Sequence, residues 1–299
     1  MQSTIRAIVR ATLYGLWSSF FLPIQMVALP LNRSAAKRLP LLYHRMCCRL
    51  FGIQVQSHGL ASRDHPVLFV ANHTSYLDIV ILGSLVPGSF VAKAEIAGWP
   101  FFGFLAKLQR TVFIDRRGSK AADHRDEIGA RLAAGDDLIL FPEGTSGDGN
   151  RILPFKSALF SVAERQVRGR PIMVQPVSIA YSHIDGLPIG REWRPYFAWY
   201  GDMGLTRHIR TMIAMGKLTV QVAFHPPFNM ADLAREGLTA SRLRKLMADR
   251  SHAAIVEGHG RALFASGRPA LAIAAKTSAA LAPNVEPPTP DFVSTPARP

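Results

Sequence analysis

The chain has 299 residues, is 48% hydrophobic and carries a formal charge of +14, from 35 basic and 21 acidic side chains. A mean hydropathy of +0.12 is too low for a polytopic membrane protein and high for an ordinary soluble enzyme, so a globular body with one membrane-seeking segment is expected. The charge points to a polyanionic partner, either nucleic acid or an anionic membrane surface. The two cysteines, Cys47 and Cys48, are adjacent: too close for an ordinary structural disulfide, too few for a metal site, and best suited to a reducing compartment.

Residues 11–31 carry no charge. A helix of that length would cross a bilayer, but Pro23 lies mid-run and is expected to break it into two short helices lying in one leaflet. Arg6 and Arg10 precede the run, and Arg33, Lys37, Arg38, Arg45 and Arg49 follow it. Basic flanks on both sides suit a hairpin whose ends meet one anionic surface. A secretory signal shares the basic-then-apolar pattern, but the run is long for one and shows no convincing small-x-small cleavage site. Residues 1–55 are therefore expected to form a membrane-anchoring helical segment.

From residue 66 to about 224, within a domain expected to span 56–275, short β-like runs alternate with helical patterns. The expected strands cover residues 67–71, 89–93, 111–115, 137–141, 172–180 and 218–224. Helices are expected over 77–86, 99–108, 120–134, 155–167 and 241–264. This alternation predicts an α/β domain with a mainly parallel sheet flanked by helices, whose chemistry belongs in the loops at the carboxyl ends of strands. The last 24 residues, 276–299, include Pro283, Pro287, Pro288, Pro290, Pro296 and Pro299, and are expected to be disordered.

Two strand ends carry chemistry. The first run leads into Asn72-His73-Thr-Ser-Tyr-Leu-Asp78. A histidine at a strand mouth, oriented by a nearby carboxylate, is the minimal equipment for taking a proton from a hydroxyl. Five residues on one helix would put the two side chains about 140° apart. The pair therefore requires His73 on the loop and Asp78 in an early turn, with Thr74 or Ser75 as cap. A second cluster, Phe141-Pro-Glu143-Gly144-Thr145, follows another apolar run. It lacks the Gly-Lys-Ser/Thr of a nucleotide loop, and Asp148 stands where a nucleophile elbow needs glycine, so Ser146 is a poor covalent nucleophile. A metal hydrolase built on His73, Asp78 and Glu143, and a non-catalytic lipid-binding protein, are the alternatives.

These residues resemble the lysophosphatidic acid acyltransferase family. Asn72-His73-x4-Asp78 looks like its catalytic block, and Phe113-Ile-Asp-Arg116 like the block whose arginine binds the acceptor's phosphate. Phe141-Pro-Glu-Gly-Thr145 looks like the third block, on the acceptor side, and Gln175-Pro176-Val177 like the fourth, on the acyl-donor side. The resemblance spans roughly residues 60–230 and implies a glycerolipid acyltransferase fold with an N-terminal membrane-docking helix pair. It implies His73 and Asp78 as catalytic residues. Arg116, Glu143, Gly144 and Thr145, with Arg151 and Lys156, would bind acceptor; Asn72, Phe113 and Pro176 would lie on the acyl-donor side. Many members carry arginine directly after Glu-Gly-Thr, where Ser146 stands here. That departure, with the stretches 93–95, 143–160 and 198–202, looks more like the bacterial lyso-ornithine lipid acyltransferase branch. The implied partners are a bilayer, a lysolipid, and an acyl-carrier-protein or coenzyme A thioester, without metal, cofactor or nucleic acid. The implied place is the cytoplasmic face of the inner membrane.

Overall fold

The computed structural model describes residues 3–64, 66–114, 128–167, 169–234 and 236–266. Arg116, the tail 276–299 and most of the helix expected over 120–134 lie outside these residues; 128–133 is helical. The chain opens with helices α1, Thr4–Leu31, and α2, Arg33–Phe51. Pro23 does not break α1, which runs on through both Pro23 and Pro30. A proline removes one helical hydrogen bond, and here packing of the neighbouring Phe21 and Gln25, 3% and 2% exposed, holds the helix through that gap. The chain turns instead at Asn32. Its N–H donates to the Ala28 carbonyl at 2.8 Å, and its side chain accepts from the Ala35 N–H at 2.9 Å, so one residue ends one helix and caps the next. A helix pair forms, with its break nine residues later than expected.

After Gly52 the chain enters β1, Ile53–His58, then β2, Val67–Ala71, α3, Leu77–Gly83, β3, Ser89–Lys93, α4, Phe102–Leu108, β4, Val112–Ile114, and β5, Leu138–Leu140. Next come β6, Met173–Ile184, α5, Leu205–Ala214, β7, Leu218–Phe224, and α6, Ala240–Ser266. The eight-stranded sheet has the order β1-β7-β6-β2-β5-β3-β4, with the short strand Leu187–Pro188 beside β6. Strands β6, β2, β5, β3 and β4 pair in parallel; β7 is antiparallel to β6, and β1 parallel to β7. The α/β sheet is mainly parallel, as expected. Strand β1 was not expected: polar residues alternate in it, as befits an edge. The helix expected over 155–167 is a 3-10 helix, Ser157–Glu164, followed by a two-residue strand.

Central β2 is buried along its whole length, the signature of a strand covered on both faces. Val67, Phe69 and Ala71 pack with Leu77, Ile81 and Leu82 of α3. Leu68 and Val70 pack on the other face with Phe160, Met247 and Ile255. The hairpin α1–α2 belongs to the same compact unit as the sheet. One buried carboxylate ties its tip down: Asp136, just before β5, accepts from Arg33 at 3.2 Å, Lys37 at 2.5 Å, Arg110 at 2.6 Å and Arg131 at 2.7 Å.

Candidate active site

Strands β2 and β5 are parallel neighbours, so the loops that follow them emerge side by side at the carboxyl edge of the sheet. This brings together two clusters separated by 70 residues. The His73 N–H donates to Glu143 Oε1 at 2.7 Å, and the Leu153 N–H to Glu143 Oε2 at 2.9 Å. Glu143 is 3% exposed. Burial pushes its carboxyl up to about 7, against the opposing pull of those two N–H groups, with Asp78 adding to the rise. Both its oxygens hold backbone, so the side chain acts as a strut between the loop after β2 and the loop after β5.

Asp78 sits in the first turn of α3 and is fully buried. Its Oδ2 lies 2.9 Å from His73 Nδ1 and accepts the N–H groups of Thr74 at 2.7 Å and Ser75 at 2.9 Å. Its Oδ1 accepts the Tyr181 hydroxyl at 2.7 Å. Four donors make a buried carboxylate tolerable. The expected cap is reversed: neither Thr74 nor Ser75 caps α3, because Asp78 reaches back to their N–H groups. Those N–H groups are consequently spent and do not serve an oxyanion. An acceptor at Nδ1 assigns the imidazole proton to that nitrogen and leaves the ring lone pair on Nε2. The ring stacks on Phe141, with centroids 4.2 Å apart at 17°.

His73 lines a cavity of about 420 Å³ whose wall is otherwise largely apolar, including Tyr76, Phe90, Trp99, Phe197 and Met212. Helices α1, α2, α4 and α5 all contribute to it. Its volume lies within the ordinary range of ligand pockets.

Other residues frame the loop. The Ser146 hydroxyl donates to the Trp199 carbonyl, the Gly147 N–H to the His73 carbonyl at 2.9 Å, and the Trp199 N–H to the Thr74 carbonyl at 3.0 Å. Asn72 exchanges two hydrogen bonds with the Ile179 backbone, at 2.9 and 2.8 Å, extending the β2–β6 pairing past the strand end. Gly144 adopts φ 73° in the turn closed by its N–H on the Phe141 carbonyl, a conformation glycine adopts without strain. Thr145, Arg151 and Lys156 are exposed beside this turn. Pro176 is buried opposite Val70 and Phe113 faces Ala92 in register; neither lines the cavity. Sequence reasoning missed Tyr181 and the stacking role of Phe141. Phe141 already stood in the motif, whereas nothing in the sequence around Tyr181 marked it.

Fold and site together define an acyltransferase, with a carboxylate-held histidine at the wall of an apolar cavity. A family model described as Acyltransferase matches residues 52–180. The lyso-ornithine lipid O-acyltransferase of Brucella abortus (strain 2308) is 40% identical over 255 residues, covering 83% of this chain and 96% of that protein. The protein of the same name from Rhizobium meliloti (strain 1021) is 38% identical over 285 residues, covering 92% and 95%. The chain belongs to the acyltransferase family. Its fold is similar to the crystal structure of the 1-acyl-sn-glycerophosphate acyltransferase of Thermotoga maritima, with a TM-score of 0.57 at 22% identity over 85% of this chain and 93% of that one.

Proposed function

We propose that this acyltransferase moves a fatty acyl group from an acyl thioester to the free hydroxyl of a lysolipid, favouring lyso-ornithine lipid over 1-acylglycerol-3-phosphate. The observation that carries the reading is His73, fixed by Asp78 at the wall of an apolar cavity. His73 Nε2 takes the proton of the acceptor hydroxyl, and the oxygen attacks the thioester carbonyl. Asp78 holds the imidazole and stabilises its cation. The tetrahedral intermediate collapses, the carbon–sulfur bond breaks, and His73 returns the proton to the leaving thiolate. Neither an acyl-enzyme nor a metal is required.

The lyso-ornithine preference draws on the names of the two relatives above and on Ser146, which stands where many family members carry a phosphate-binding arginine. The donor is an acyl-carrier-protein or coenzyme A thioester. Both are cytoplasmic, so the enzyme works from the cytoplasmic face of the inner membrane, with α1 and its basic flanks against the lipid. Purified enzyme offered lyso-ornithine lipid and lysophosphatidic acid, each with both donors, should acylate the first faster. His73→Ala and Asp78→Asn should each lose at least about a hundredfold in kcat. Near-normal turnover in either folded variant removes the mechanism, and faster acylation of lysophosphatidic acid removes the acceptor assignment.

A further inference from the structure

The loop that replaces the missing arginine reads Gly147-Asp148-Gly149-Asn150-Arg151, and the fold brings a distant arginine to it. Arg194 opens a short 3-10 turn, Arg194–Tyr196, just before Phe197 and Trp199, which line the cavity. Its Nη1 donates to Asn150 Oδ1 at 3.2 Å, while the Asn150 N–H donates to Asp148 Oδ1 at 2.9 Å. One asparagine therefore holds a cation and an anion, and no ion pair joins the two among the described residues. Gly149, at φ 77°, is where this loop meets the catalytic segment. A Cβ there would lie 3.2 Å from Thr74 Cγ2 and 3.6 Å from Arg194 Cβ, and Thr74 is the residue next to His73. Arg194 Nε is buried and has no acceptor.

We propose that Asp148 and Arg194 form the head-group subsite for a zwitterionic acceptor, Arg194 taking its carboxylate and Asp148 its ammonium group. A carboxylate reaches the guanidinium through Nη2, which is not enclosed as Nε is, while Nη1 stays on Asn150; a charged pair of this kind is among the stronger hydrogen bonds. Burial, with Arg191 nearby, lowers the pKa of Arg194, and an anion relieves both effects. Asp148 repels a phosphomonoester held at the same place, so discrimination comes from repulsion as well as attraction. The inference rests on the lyso-ornithine reading above and gives it a physical basis.

The test compares three acceptors: N-(3-hydroxyacyl)ornithine, the acyl-1,4-diaminobutane that lacks the carboxylate, and the acyl-norvaline that lacks the terminal amine. With Arg194→Gln, the kcat/KM preference for the ornithine acceptor over the diaminobutane analogue should collapse by about tenfold or more, the value of a charged hydrogen bond. Arg194→Lys should restore part of it. With Asp148→Asn, the preference over the norvaline analogue should collapse similarly, and acylation of lysophosphatidic acid should rise. Equal loss on all three acceptors in Arg194→Gln, unrescued by Lys, overturns the subsite by making Arg194 a purely structural residue. Unchanged preferences overturn it as well. Should the wild-type enzyme acylate lysophosphatidic acid and none of the three acceptors, it is the lyso-ornithine reading that fails.

Discussion

Asp78 binds four donors, and they differ in what they do. The two backbone N–H groups fix its position and His73 uses it, whereas Tyr181, from the neighbouring strand β6, controls how much negative charge Oδ2 offers the imidazole. Removing the Tyr181 hydroxyl concentrates charge on the carboxylate and strengthens its hold on the imidazolium. Tyr181→Phe should therefore lower kcat severalfold with KM little changed, the size of a lost hydrogen bond to a charged group; reduced thermal stability with an unchanged kcat would make Tyr181 a packing residue. Glu143 yields a second prediction at this scale. Its folded pKa, about 7, lies above the unfolded value, so the folded state holds the extra proton between the two. That contribution to stability is complete below the ordinary carboxylate range and is lost as pH rises through 7. Glu143→Gln should flatten the fall in stability between about pH 4.5 and 7. Because an amide cannot accept both N–H groups, the variant should also be about 1–3 kcal/mol less stable at acid pH, as read by urea denaturation across that range.

The N-terminal hairpin illustrates how an element survives its own prolines. Pro40 lies inside α2 and has no N–H to give the Ala36 carbonyl one turn earlier. Gln25 of α1 supplies the missing donor, its Nε2 reaching Ala36 O at 3.1 Å and also the Leu108 carbonyl at the end of α4 at 2.9 Å. One side chain thus fastens α1 to α2 and to α4. Gln25→Leu should cost about 1–3 kcal/mol, lowering Tm by several degrees for a domain of this size. A Tm within a degree of wild type would show that the hairpin holds without this tie.

At the scale of the molecule, α1 packs one side against the body and leaves Ile5, Leu13, Leu16, Phe20, Ile24 and Leu31 exposed, an apolar stripe at helical spacing. It is also, by length and composition, the one helix among the described residues able to cross a membrane. With basic residues flanking it, this face should bind anionic vesicles in a salt-sensitive way. Leu16→Glu with Phe20→Glu should reduce vesicle flotation severalfold while leaving stability nearly unchanged, because exposed positions carry little folding energy. Undiminished flotation would place the membrane contact elsewhere.

The His73–Asp78 contact and the strands 67–71, 89–93 and 218–224 were legible in the sequence, the strands from local patterning and the contact from its motif together with the cluster after β5. An apolar run buried on both faces reads as a strand, and a histidine five residues before an acid reads as a pair once Asn72 and the second cluster stand beside it. Edge strand β1 and the 3-10 character of Ser157–Glu164 were not legible: β1 alternates apolar and polar residues only over Ile53–Gln56 before its exposed polar end, and Ser157–Glu164 has no pattern that separates a 3-10 helix from an α-helix. Nor was the turn at Asn32 legible, because a helix passes through a proline only when another element, here through Gln25 and Phe21, holds it there. The tertiary structure alone decided that Tyr181 donates to Asp78, that Glu143 braces backbone, and that Arg194 meets Asn150. Each joins residues tens of positions apart in the chain, and only the order of strands in the sheet brings them into contact.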